Sequence, residues 1–359
     1  MTRRLSCISF LSACAVSAAL ALLPARQASG FAYVFAGEAN GIDLVAHAMG
    51  YTGTGGNLAI SVGIDPGSTH AADMIIPTAN AVNTWNGMTA TTGNLQPGAI
   101  SGHDYESVLL HELGHALGLA HPNLASEPGV SGSAQNATRT TDGLDNVFTL
   151  NSGVDGIFGS ADDIRGDDVN LNYFQMSDNN PFDPGFGTVD STTYSRDIAD
   201  LPGGDNFSAN ADRAVAAALG FVNTEAVMQQ GSVFGEIQRT LGADDVAGML
   251  YARTGLDEVA GTSNDYTVTL DFLGLNAGAD IVIDFDNSVT YAATYLSGSF
   301  IGASGHAVVT SGDISFNTGH SWYFNQESNA AEVSAPGVFT LFGTGLLVIA
   351  AIRRERKTV

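Results

Sequence analysis

The residues best equipped for chemistry lie together at 111–121, His-Glu-Leu-Gly-His-Ala-Leu-Gly-Leu-Ala-His. On a helix, side chains four apart share a face, so His111 and His115 can direct an imidazole nitrogen at one ion. Gly118 stands where that helix must stop and turn, since a residue without Cβ takes the left-handed conformation readily. The turn brings His121 round as third ligand. Three neutral histidines leave the fourth tetrahedral position to water, the arrangement of a catalytic rather than a structural zinc site. Glu112, next to the first ligand, is placed to accept a proton from that water as it attacks a carbonyl, and the implied reaction is peptide-bond hydrolysis.

Every fixed position of His-Glu-x-x-His-x-x-Gly-x-x-His is met, and this extended motif resembles the metzincin metallopeptidases. The resemblance implies a second signature, a methionine in a tight turn beneath the metal. Its candidate is Met228 in Thr224-Glu-Ala-Val-Met228-Gln-Gln-Gly231. Leu241-Gly-Ala-Asp244-Asp245-Val-Ala-Gly248-Met-Leu250-Tyr251 is similar to the closing helix of the matrixin branch, with the Leu-Tyr pair two residues early. The fold class implied is α+β, a zincin or metzincin-like catalytic domain.

The elements that must hold these groups can be placed in outline. Short apolar stretches at Ala32–Phe35, Ile42–Val45 and Leu58–Ile64 read as strands. A helix is expected over about 71–86, with Ile75, Ile76, Ala79, Val82 and Trp85 at helical spacing. The zinc helix should start with Asp104 as N-cap and Glu106 in its first turn. Matrixins place several strands between these two helices. The interval here is too short for them, which leaves open the strand that would hold a peptide substrate. His47, His70 and His103 have no ligand spacing of their own and are expected as surface or loop histidines; His306 and His320 are too isolated in sequence to assign.

Between His121 and Met228 lie 106 residues rich in Gly, Asn, Asp and Ser, expected as an insertion over about 122–210. Seven aspartates fall within it: Asp142, Asp145, Asp155, Asp162, Asp163, Asp167 and Asp168. Clustered carboxylates repel unless solvated or bridged, so this stretch is either a calcium site or a solvated acidic loop. Val169–Phe174 is the apolar stretch that would dock it. The catalytic domain is read as 31–258. From 259 to 332 short alternating segments such as Tyr266–Phe272 and Ile281–Phe285 suggest a small antiparallel β-sandwich, acting as a spacer with Trp322 in its core.

Both ends carry targeting features. Residues 1–30 read as a secretory signal, with Arg3 and Arg4 before an apolar run and small residues at Ala28-Ser-Gly30. A lipoprotein box at Leu11–Cys14 is the competing reading. Cys7 and Cys14 are the only cysteines and leave with the signal, so no disulfide is expected. Residues 333–359 resemble a PEP-CTERM sorting tail: Val333-Ser-Ala-Pro336, an apolar transmembrane-type helix over Gly337–Ile352, then Arg353-Arg-Glu-Arg-Lys357. That resemblance implies a membrane sorting protease as partner; an ordinary membrane anchor is the alternative. Between Phe31 and Ile352 only six basic residues face 36 acidic ones, a net charge of −30. Nucleic acid is excluded as a partner for such a body, and membrane contact is confined to the terminal segments.

The sequence therefore suggests an exported zinc endopeptidase at the cell surface or outside the cell, with zinc as cofactor, calcium in the insertion, and protein or peptide as substrate. The rival is a catalytically silent, calcium-stiffened surface protein. Glu112 favours the enzyme, because a vestigial site needs no base.

Overall fold

The computed structural model describes residues 38–39, 42–43, 45–91, 93–119, 149–151, 154, 164–166, 173–174, 190, 194–195, 226–229, 232–302 and 305–329. The strands in chain order are β1 (Glu38–Ala39), β2 (Ile42–Asp43), β3 (Val45–His47), β4 (Gly56–Ile64), β5 (His103–Asp104), β6 (Thr149–Asn151), β7 (Ile164–Gly166), β8 (Tyr173–Phe174), β9 (Tyr194–Ser195), β10 (Tyr266–Leu275), β11 (Ile281–Phe285), β12 (Ala292–Phe300), β13 (His306–Phe316) and β14 (Trp322–Tyr323). The helices are α1 (Ala71–Gly87), α2 (Tyr105–Ala116) and α3 (Ala243–Ala252).

Helices α1 and α2 form where the apolar spacing places them. Asp104 caps α2 by accepting the Ser107 amide at 3.0 Å, which satisfies one of the N–H groups that a helix start leaves over. A bidentate Arg239 holds the same carboxylate, at 2.6 and 2.9 Å, and ties the segment before α3 to the start of α2. Inside α1, Pro77 is tolerated with its ring buried.

One mixed sheet carries the structure, in the order β10-β4-β11-β13-β12, with β3 also pairing β13. Four of its pairings are parallel, and only β12 runs antiparallel, against β13. One face packs on the helices: Ile60, Val62 and Ile64 of β4, Leu270, Ile281, Ile283 and Ile314 meet Met74, Val82 and Trp85 of α1 and Tyr105, Leu109, Leu110 and Leu113 of α2 in one core. Along β11, buried Ile281, Ile283 and Phe285 alternate with partly exposed Val282 and Asp284.

This arrangement overturns the antiparallel β-sandwich expected over 259–332. Strands from either side of residue 258 share one mostly parallel sheet, and among the described residues no antiparallel β-sandwich is evident. Two physical causes explain the misreading. Parallel sheets usually have both faces covered and show unbroken apolar runs; this one is covered by helices on one face, so its strands alternate as antiparallel ones do. The links are also short. Residues 276–280 join β10 to β11, two parallel strands that flank β4, by passing directly over β4. The Asn276 amide donates to the Ile64 carbonyl at 2.8 Å, and Asp280 accepts the Ser61 amide and hydroxyl at 2.8 and 2.6 Å. A link of that length reads as a hairpin from sequence alone, because parallel strands normally need a longer crossover.

The strands missing between α1 and α2 are thus supplied from after α3. The zincin-type order of elements expected for residues 31–258 is corrected in the same way. No helix among the described residues is long and apolar enough to cross a membrane; the apolar run at 337–352 lies outside them, as do the signal at 1–30, Ala32–Phe35 and most of the insertion. Within the insertion β6 pairs β7 and β8 pairs β9, so Tyr173–Phe174 of the expected docking stretch is a short strand.

The crossing predicts a sensitive position. A Cβ on Gly63 would overlap the Asn276 carbonyl and lie 2.9 Å from Ala279 Cβ. Gly63→Ala is expected to destabilise the fold by about 2 kcal/mol through overpacking, read as a lower urea midpoint.

Candidate metal centre

His111 and His115 project from one face of α2 into a cavity of about 560 Å3. His111 Nδ1 lies 2.7 Å from the Val227 carbonyl oxygen, and His115 Nδ1 lies 2.7 Å from that of Leu119. A carbonyl can only accept, so each Nδ1 carries the proton and each Nε2 presents a lone pair. The two Nε2 atoms are 3.1 Å apart. Burial lowers the pKa of His111, and burial together with His111 lowers that of His115 to about 4, so both rings are neutral at pH 7. Two lone pairs facing at this distance repel unless a cation lies between them. Zinc–nitrogen bonds of about 2.05 Å in a tetrahedron put ligand nitrogens about 3.3 Å apart, so the pair fits zinc, with each ring oriented by the main-chain carbonyl its Nδ1 donates to.

Gly118 ends the helix as expected, at φ 105°, and a Cβ there would lie 3.0 Å from the Ala46 carbonyl oxygen. His121 falls outside the described residues, as do the seven aspartates proposed for calcium. Among the described residues no group of three or more His, Cys, Asp or Glu side chains converges as a metal site.

Met228 lies in a turn packed against α2. It is 3% exposed, and a Cβ on Gly114, the residue before His115, would run into its sulfur and lie 3.0 Å from Trp85 Cζ2. The turn is held from α3. Asp245, 2% exposed, accepts the amides of Val227 at 2.8 Å, Met228 at 3.0 Å and Gly242 at 2.7 Å. One carboxylate therefore fixes both the methionine and the carbonyl that orients His111.

Glu112 is 6% exposed, and burial raises its pKa, offset in part by His115 and by hydrogen bonds from Thr294. The Thr294 hydroxyl lies 2.6 Å from Glu112 Oε2 and 2.9 Å from the Glu112 carbonyl oxygen. Thr294 belongs to β12, whose Ala292, Ala293, Thr294 and Leu296 line the cavity opposite α2. Tyr291 adds a hydroxyl that is hydrogen-bonded to Ser232, its pKa pushed up to about 12 by burial. Thr294, Tyr291 and the Val227 carbonyl were not legible as site groups, since nothing in their local sequence marks them.

Elsewhere the structure corrects one histidine. His47, expected at the surface or in a loop, is fully buried, with Nε2 2.9 Å from His306 Nδ1 and Nδ1 3.1 Å from the Ala252 carbonyl oxygen. The parallel pairing of β3 with β13 brings the two together. Trp322, expected in the core of a β-sandwich, packs partly buried against the core of the mixed sheet and its helices. No family model matches the chain, and no curated protein or solved structure matches it.

Asp245 supports two linked expectations. Asp245→Ala leaves three buried amides without their acceptor and should lower stability by about 2–4 kcal/mol. Burial, partly offset by the three amides, raises the Asp245 pKa from 3.8 to about 6. The folded state then holds this proton more tightly than the unfolded chain. The stability that protonation contributes is full below about pH 4 and is lost as pH rises through about 6. Urea midpoints across this range should show that decline in the wild type, and a shallower one in Asp245→Ala.

Proposed function

We propose that the chain is a zinc-dependent endopeptidase, exported from the cell, related to the metzincins through its metal motif. The observation that carries the reading is the pair of neutral imidazoles whose Nε2 atoms face each other at 3.1 Å beside a buried carboxylate. His111, His115 and, from the motif, His121 would hold the ion. When bound, zinc supplies Lewis-acid polarisation of the scissile carbonyl and acidifies water.

The chain's own groups would do the rest. Glu112 takes a proton from the attacking water and returns it to the leaving amine; burial that raises its pKa suits both halves of that exchange. Among the described residues β12 pairs only with β13, so its outer edge is open beside the cavity. An extended peptide added to that edge gains main-chain hydrogen bonds and lays its scissile bond across the histidines. Tyr295, Leu296 and Phe300 are exposed along this strand, at 51%, 44% and 68%, which suits a surface that is covered when substrate is present.

The test compares wild type and Glu112→Ala, with and without a chelator, on a denatured protein substrate. Wild-type cleavage should disappear on zinc removal and return on its addition. Glu112→Ala should retain zinc and lose at least about a hundredfold in rate. One zinc per chain with no cleavage by either protein, over a broad substrate panel, would instead favour the silent surface protein.

A further inference from the structure

We propose that Thr294 is a positioning residue for Glu112, holding its carboxylate through Oε2 and making that hold depend on the strand that receives the substrate. The inference rests on the reading of Glu112 as the base and adds to it the device that aims it.

The geometry is specific. Thr294 Oγ1 has one proton and two acceptors in reach, Glu112 Oε2 at 2.6 Å and the Glu112 carbonyl oxygen at 2.9 Å. The shorter contact, to a charged oxygen, takes the proton. With Oε2 occupied by Thr294, Oε1 remains to meet the water, so the proton would be taken there. A glutamate has three side-chain torsions, and a donor fixed on Oε2 restricts them.

Thr294 is itself constrained. Its β-branched side chain has a strongly restricted first torsion, and its backbone is in register with Ile314 of β13. Among the described residues no strand pairs with its other side. A peptide bound to that edge would fix the strand from both sides, and with it Thr294 and the carboxylate. Substrate binding and alignment of the base would then be mechanically one event. Residues before and after Thr294 support this placement: Ala292, Ala293 and Leu296 all line the same cavity as Glu112.

The experiment uses the full-length protein in three forms, wild type, Thr294→Val and Thr294→Ser, with Thr294→Ala in place of valine if the latter folds poorly. Valine keeps the shape and removes the donor; serine keeps the donor and loses the methyl. Thr294→Val should lower kcat by about tenfold to a hundredfold, with KM within about twofold and zinc content unchanged, whereas Thr294→Ser should recover most of the rate. Independently of activity, a double-mutant cycle with Glu112→Ala in metal-free protein should show coupling of about tenfold in the unfolding equilibrium constant. An active wild type with Thr294→Val equally fast, or with serine as damaging as valine, would overturn the proposal while leaving the peptidase reading intact. A wild type that binds zinc and cleaves nothing would overturn both.

Discussion

The buried carboxylate of Asp245 is the constraint on which the site depends. Three amides converge on it, two of them from the turn that carries Met228. Without that acceptor, docking the turn against α2 would leave buried amides unpaired, a cost set against the burial of Val227 and Met228 in the core. With it, the Val227 carbonyl reaches His111 Nδ1 at 2.7 Å. The tautomer of His111 is thus decided by an aspartate on a different helix, through a backbone segment that bears no charge.

The second support acts on the other end of α2. Arg239 grips the capping Asp104, and the Gln238 amide donates to Ser107 Oγ at 2.7 Å. Glu106, buried beside them, takes Asn80 and Asn325 as donors at 3.0 and 2.8 Å. The segment between the methionine turn and α3 is therefore clamped at both ends of its run along α2. Its Ser232, Val233, Glu236 and Gln238 line the cavity together with α2 and β12. Its rigidity comes from hydrogen bonds to charged groups rather than from a disulfide, in keeping with a chain whose only cysteines lie in the first 30 residues.

What could be read from sequence was what is local. Asp104 as N-cap, α1 at 71–87, and His111 and His115 on one helical face follow from spacings of three and four residues. The turn at Gly118 follows from one residue type. Met228 and Asp245 were found only because a family pattern pointed to their stretches, and what Asp245 does was not visible at all. The sheet was misread because its strands alternate and its links are short, two local signals that here describe a parallel sheet covered on one face. Thr294 lies 182 residues from Glu112 in Tyr291-Ala-Ala-Thr294, where no periodicity or motif distinguishes it. His47 and His306, 259 residues apart, were illegible for the same reason.

The order of elements along the chain has a consequence for how the site is assembled. Helix α2 precedes every strand on its side of the sheet except β3 and β4, so the surface it must pack on arrives only with residues 266–316. Pairing of β4 with β10 and β11 closes loops of some two hundred residues, and contacts of that separation are entropically the slowest to form. Until they form, α2 is a short amphipathic helix with nothing to bury its apolar face against, and helices of this length are marginal alone. His111, His115 and Glu112 are therefore brought into register by the last third of the described chain. A chain organised in this way cannot present an aligned Glu112 while still incomplete, since the hydroxyl that holds it belongs to the edge strand β12, among the last strands to be laid on the sheet.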